Sequence, residues 1–252
     1  MNTTYLKKIA FRVNKFSTEL NYGREVISNW ARDLSLEWSN RAPVRILDVG
    51  CGGGQDLLNI KRLIPDKKIE LFGIDYQDIH FCNAIEKGIQ IFSLDIEREQ
   101  FPFEKYFFNL VICNQILEHT KEIFWILSEC SRVLELGGYL IVSVPNMAAL
   151  HNRILLLMGK QPTCLHVVGP HLRGFTIGEF KEFIETANAF RVVETGASNL
   201  FPFPPRIGRL LLKSFPGLGV SILFLCKRQN LNGNILAALS DRKFDTNYML
   251  GS

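Results

Sequence analysis

The six cysteines of this chain, at positions 51, 82, 113, 130, 164 and 226, never fall into a CxxC pair. They lie far apart, several in apolar runs, which argues against a zinc site or a disulfide framework and for buried, reduced thiols. Long hydrophobic runs are missing as well. The N-terminal "MNTTYLKKIAFRVNKF" is basic with scattered apolar residues, but it has no continuous hydrophobic region and no cleavage site, so no signal peptide is expected. The most apolar late stretch, "RIGRLLLKSFPGLGVSILFLC", is interrupted by Lys213, Pro216 and three glycines, too broken to span a bilayer. Nor is there a concentrated basic footprint: the formal net charge of +4 is spread out, and no nucleic-acid partner is expected. These absences point to a cytoplasmic protein.

What is present is an alternation. With 252 residues, 47% of them hydrophobic and 21% charged, the chain is long enough for one large core and has the composition of a soluble globular enzyme. "VRILDV" (44–49) reads as a buried strand and "QDLLNIKRLI" (55–64) as a helix with Leu57, Leu58, Ile60 and Leu63 inward. Further strands are expected at 68–75, 89–95, 108–114 and 137–146, the last entered by a paired-glycine turn. Helices are expected near 77–87 and across 120–134. Beyond an irregular segment at 147–175 come the helix "TIGEFKEFIETAN", with Phe180, Phe183 and Ile184 as its apolar face, and the strands "RVVETGAS" and "SILFLCKR". Strands alternating with helices imply an α/β, doubly wound and mostly parallel sheet of seven strands, joined by right-handed crossovers. Residues 1–40 read as an N-terminal helical cap, 41–228 as the main domain, and 229–252 as a tail of little pattern.

The first strand–helix turn, "RILDVGCGGGQ", concentrates four glycines in five positions. Glycine there serves either a tight turn or the close approach of a ligand. The dinucleotide fingerprint G-x-G-x-x-G fails, since counting from Gly50 its third glycine is Gln55. The phosphate loop fails because no Gly-Lys-Ser/Thr follows. Asp75, ending the second strand, is placed to accept hydrogen bonds from both ribose hydroxyls of a nucleoside. Asp48 can hold the turn or meet a ligand ammonium group through water.

"ILDVGCGGG", "LFGID", "FSLDIE", "LVICNQILEH" and "GGYLIVSVPN", in this order and spacing, resemble class I S-adenosylmethionine-dependent methyltransferases. The likeness is to the small-molecule branch that includes ubiquinone-type O-methyltransferases and enzymes of glycan clusters. It covers residues 42–146 closely and 170–228 loosely. The resemblance implies a Rossmann-like methyltransferase fold with S-adenosylmethionine as cofactor. Gly50, Gly52 and Gly54 would face the methionine part, Asp75 the ribose, and Tyr76 the adenine. Asp95 and Ile96 would meet the adenine amine and ring face. Asn114 and Gln115 would lie under the methionyl group through backbone oxygens, and Tyr22 and Arg24 would reach the cofactor carboxylate.

For an oxygen acceptor, a histidine near its ordinary pKa suits removal of the proton. His119, in "QILEHT", follows the fourth strand, with Glu118 beside it; the alternative is that both merely cap the next helix. His166 and His171, in a 147–175 segment that would close over the site, are competing bases. A metal-using variant of the family has Glu-x-x-Glu-His at this place. Here the matching residues are Gln115, Glu118 and His119, and the neutral amide removes charge that a hard cation favours, so no metal is expected. The acceptor would be a small molecule or a glycan- or lipid-linked one. Two basic stretches, one with Lys7, Lys8, Arg12 and Lys15 and one with Arg206, Arg209 and Lys213 around Leu210–Leu212, raise peripheral membrane contact, against packing of those leucines on the sheet. The rival function is a non-catalytic module that binds the same cofactor as a partner or regulatory subunit. Neither the acceptor nor the oligomeric state follows from the residues.

Overall fold

The computed structural model describes residues 21–38, 43–77, 81–229 and 235–236. Seven strands form one sheet: β1 (Val44–Val49), β2 (Ile69–Asp75), β3 (Ile89–Ser93), β4 (Phe108–Asn114), β5 (Leu134–Pro145), β6 (Phe190–Ser198) and β7 (Ser221–Arg228). Their order is β3-β2-β1-β4-β5-β7-β6. The first five are parallel, while β7 runs antiparallel to both β5 and β6. This is the doubly wound, mostly parallel architecture expected from the alternation.

Among the described residues, seven helices flank the sheet: α1 (Arg24–Leu34), α2 (Gln55–Leu63), α3 (Phe81–Glu86), α4 (Ile123–Val133), α5 (Leu150–Leu157), α6 (Ile177–Ile184) and α7 (Pro205–Ser214). Because side chains alternate across a strand, each central strand feeds two cores. Ile46, Leu110 and Ile112 join Ile27, Trp30, Leu57 and Ile60 of α1 and α2 on one face. Leu47, Val49, Val111 and Cys113 join Ile126, Leu127, Cys130, Phe180 and Ile184 of α4 and α6 on the other. Helix α1, expected as part of a cap, therefore packs into one core through Ile27, Trp30, Ala31 and Leu34. Ile235, in the stretch expected to be a patternless tail, is fully buried in the other. The first 20 residues, with the basic cluster from Lys7 to Lys15, lie outside the described residues.

Several boundaries differ from expectation. Strand β5 begins at Leu134, so its paired glycines lie within the strand; they sit at the register shift against β4, where Gly137 takes a left-handed φ of 74°. A single turn of 3₁₀ helix at Leu117–His119 precedes α4, which starts only at Ile123. Leu63, expected to point inward, is exposed at the last position of α2. Cysteines 51, 113, 130 and 226 are buried and unpaired, as their apolar surroundings suggested.

The turn from β1 to α2 needs its glycines for two reasons. Gly50, Gly52 and Gly54 all have left-handed φ (75°, 49° and 71°), a region that costs other residues about 1–2 kcal/mol. In addition, a Cβ on Gly50 would lie 2.6 Å from Ile116, and one on Gly54 would overlap Ile89, whereas one on Gly52 would meet nothing within 4 Å. The outer two glycines thus serve packing, and the middle one faces open space. Gly54→Ala should destabilise the fold by more than about 2 kcal/mol, and Gly52→Ala by only about 1 kcal/mol of backbone strain. Urea titration of the two variants checks this; equal costs would mean that Ile89 yields to the new methyl group.

Candidate active site

The order β3-β2-β1-β4 sets four parallel strands side by side, so the residues following each strand line up along one edge of the sheet. In sequence along that edge come Asp95 and Ile96, then Asp75 and Tyr76, then the glycine turn, then Asn114 and Gln115. Three inter-strand steps of about 4.8 Å span about 14 Å, the reach of an extended nucleoside with an amino-acid tail. Sites of this kind lie where strand order reverses, here between β1 and β4.

Asp75 Oδ2 accepts the Gly52 N–H at 2.7 Å, and Oδ1 accepts the Gln77 N–H at 2.9 Å. A carboxylate has about four acceptor positions, so capacity for ligand hydroxyls remains. Tyr76 beside it is largely exposed. Asp95 takes part in a local turn: it accepts the Glu97 N–H at 3.0 Å, its own N–H donates to Glu99 at 2.8 Å, and Arg98 lies 3.6 Å away. Ile96 packs half-buried against the core.

Beneath the turn lies a charge cluster that the sequence signalled only in part. Asp48 is fully buried and its Oδ1 has no partner. Asp56, in the first turn of α2, is equally enclosed. Arg24 Nε stands 3.5 Å from Asp56 Oδ1, and Asn114 Nδ2 donates to Asp56 Oδ2 at 2.9 Å. Burial, reinforced by the Asp56 charge, pushes Asp48 well above the usual carboxylate range. Burial also raises Asp56, against the Asn114 hydrogen bond and the Arg24 charge. Two buried carboxyl groups thus face one guanidinium, and the Asp48 and Asn114 oxygens lack donors. That environment suits a ligand bearing an ammonium group. Asn114, expected to act through its backbone, uses its side chain to hold Asp56. Asp56 escaped sequence reading because an acid in a first helical turn needs no function to explain it.

From Tyr22, Arg24, Asn114 and Gln115 a cavity of about 640 Å³ opens toward Glu118, His119, His151, Asn152, His166, His171 and Phe201. Gln115 adopts φ 57° and is fixed to β5, its N–H donating to the Ser143 carbonyl at 3.0 Å and its amide to Ser143 Oγ at 2.8 Å. The 147–175 segment, which contains α5, forms the opposite wall. It is tied to the Leu117–Lys121 turn by Leu172 N–H to Glu118 O (2.7 Å) and by the Arg173 guanidinium to Lys121 O (2.8 Å).

Glu118 and His119 do not cap α4, whose N-terminus at Glu122 receives no side-chain cap. His119 Nδ1 lies 3.3 Å from the Pro170 carbonyl, which can only accept, so that nitrogen carries the proton and Nε2 keeps its lone pair. By the same reasoning His171 Nδ1 donates to the Cys164 carbonyl at 2.8 Å. The two rings meet edge to face at 4.7 Å. Burial, with the His171 charge adding to it, lowers the His119 pKa below its usual value, which keeps the imidazole neutral at pH 7. Glu118 is fully buried, 4.0 Å from His119 Nε2, and burial raises it from about 4.5 to about 8. Glu118, His119 and His171 bring ligand atoms within 4.8 Å of one another, the one group among the described residues able to hold a metal ion. His171 completes this set from 52 positions downstream, a pairing no local motif announces.

The strand order, the glycine turn and the acidic strand ends are those of the class I methyltransferase fold. Within that class the chain belongs to the MetW family: the family profile, described as methionine biosynthesis protein MetW, matches residues 34–198. A relative from Mycolicibacterium smegmatis, named "Probable S-adenosylmethionine-dependent methyltransferase", is 29% identical over 150 residues, covering 60% of this chain and 53% of its own. A ubiquinone biosynthesis O-methyltransferase of Dechloromonas aromatica is 29% identical over 125 residues, 45% of this chain and 51% of that one. The chain thus spans about half the length of these curated relatives. The crystal structure of a SAM-dependent methyltransferase from Archaeoglobus fulgidus shares the fold with a TM-score of 0.53, at 18% identity over 81% of this chain and 94% of that one.

Glu118 carries a pH signature. Its carboxyl ionises near 4.3 when unfolded and near 8 when folded, so between those values the folded state holds a proton the unfolded state has lost. Stability therefore falls as pH rises through this window. Glu118→Gln should melt above wild type at pH 8, and the difference should shrink toward zero near pH 4. A pH-independent difference in Tm would show that the carboxyl is not held neutral.

Proposed function

We propose that this protein transfers a methyl group from S-adenosylmethionine to an oxygen of a small-molecule, glycan-linked or lipid-linked acceptor. The observation that carries the reading is an adjacency. Asn114 and Gln115, at the end of the sheet edge that starts at Asp95, line a cavity that His119 also lines, with Nε2 of its ring free to accept a proton. The cofactor fits the residues present: Gly52 leaves open space, Asp75 has acceptor capacity for ribose hydroxyls, and Asp48 and Asp56 share a single guanidinium. Asp95 and Ile96 would hold the adenine, and Tyr76 would flank it.

Bound S-adenosylmethionine would supply an electrophilic sulfonium methyl group that needs no activation by the protein. The chain's task is to place the acceptor oxygen in line, about 3–3.5 Å from the reacting carbon, and to take its proton. His119 Nε2 is the base, its tautomer set by the Pro170 carbonyl. The 147–175 wall excludes water and closes the geometry. A second reading uses Glu118, His119 and His171 to hold a divalent cation that would orient an acceptor with neighbouring oxygens; their convergence favours it. Metal binding there would require Glu118 to lose its proton, and affinity would rise with pH.

Two experiments test these readings. Calorimetry with S-adenosylmethionine should show micromolar affinity, about −8 kcal/mol, lost by tenfold or more in Asp75→Ala; unchanged affinity in that variant overturns the cofactor assignment. With a turned-over acceptor, His119→Ala should lower kcat by about 10²-fold while cofactor affinity holds. In wild type kcat should fall at acid pH with a midpoint below 6.5. Loss of turnover on dialysis against chelator, restored by a divalent ion, would instead select the cation-assisted reading. Cofactor binding without turnover of any acceptor would select a non-catalytic module.

A further inference from the structure

The wall of the cavity carries its hydrophobic side outward. In α5 only Asn152 is buried, while Ile154 and Leu157, with Met158 just beyond the helix, recur at helical spacing on an exposed face. Leu157 is 88% exposed. In the loop that follows, Val167 and Val168 are 87% and 95% exposed. Single exposed apolar residues are ordinary, but a group of them on one element beside a cavity marks a contact surface.

Charge says what it contacts. No acidic residue occurs between Glu135 and Glu179, a stretch that includes Arg153, Lys160, Arg173 and three histidines. None occurs between Glu194 and Asp241 either, which includes Arg206 and Lys213 on α7, beside Arg209, which is paired with Glu25 of α1 at 2.7 Å. All 25 acids of the chain lie outside these two stretches. The fold brings the two together: the His151 ring of α5 lies 5.9 Å from Phe201, just before α7, and both line the cavity. On α7, Leu212 is buried but Leu210 is exposed, so the leucines there are divided between packing and solvent. Pairing with a second copy through this face would set basic residues against basic residues. A bilayer with anionic headgroups satisfies both the apolar and the basic groups.

We propose that the outer face of α5, the Val167–Val168 loop and the outward side of α7 form a docking surface for an anionic lipid bilayer. Docking seats the mouth of the cavity at the interface, from which an amphiphilic acceptor enters. The acceptor part rests on the methyl-transfer reading; the docking does not, and its test needs no turnover. Sedimentation with vesicles of phosphatidylcholine alone, and of equal parts phosphatidylcholine and phosphatidylglycerol, should show at least about tenfold stronger partition of wild type to the anionic vesicles. The double variant Leu157→Glu/Val168→Glu should lose about tenfold of that partition with an unchanged Tm, since neither side chain is packed. Equal partition of wild type to both vesicles overturns the proposal. So does a double variant that sediments like wild type, or one whose only change is dissociation of a dimer in sedimentation velocity.

Discussion

The Asp75 carboxylate accepts the Gly52 amide, while the Gly50 and Cys51 amides donate to the carbonyl of Ile74, at 2.8 and 3.0 Å. Through these bonds the end of β2 holds the turn that follows β1, and the site depends on that clamp. A hydrogen bond to an ionised group is worth about 1.5–3 kcal/mol, enough to select one conformation of a turn rich in glycine. With the turn fixed, α2 starts where its first-turn Asp56 meets Arg24 of α1 and Asn114 of β4. One carboxylate thus registers three strands and two helices around a point where backbone comes close to open space.

The buried carboxyl groups divide into two kinds. Asp48 and Asp56 crowd around a single guanidinium, and their raised pKa values record an environment short of positive charge. Glu118 stands apart from that guanidinium, and burial holds it protonated up to about pH 8 against a backbone hydrogen bond. A neutral carboxyl gives an adjacent imidazolium no support. This agrees with the lowered His119 pKa, whose main cause is burial. The same carboxyl becomes an anionic ligand if a cation displaces its proton, so one cluster is compatible with two chemistries.

The cavity wall is coupled to His119 and His171 through backbone atoms. The Pro170 carbonyl orders the His119 tautomer, the Cys164 carbonyl orders that of His171, and the Leu172 amide holds the carbonyl of Glu118. Opening of this segment would release the tautomer preference together with the acceptor space. For the methyl transfer proposed above, binding of the acceptor and proton uptake by His119 would thereby be linked through one loop.

The sequence by itself determined the sheet and the residues along its carboxyl edge, because both rest on local signals. The apolar runs "VRILDV" and "LVICN" mark strands buried on both faces, as a parallel sheet requires, and the glycines mark where the backbone must take left-handed φ. The acids at Asp75 and Asp95 follow strands, so a parallel sheet alone brings them to one edge. Only the tertiary structure decided what depends on distant pairings. The antiparallel insertion of β7 between β5 and β6, the contact of Arg24 with Asp56, and the meeting of His119 with His171 join residues tens of positions apart with no shared periodicity. The burial of Ile235 and the exposure of Leu157 and Val168 belong to the same kind. An apolar residue in a helix or loop reads alike in sequence whether it faces a core or water, and the neighbours that cover it are fixed only when the chain has folded.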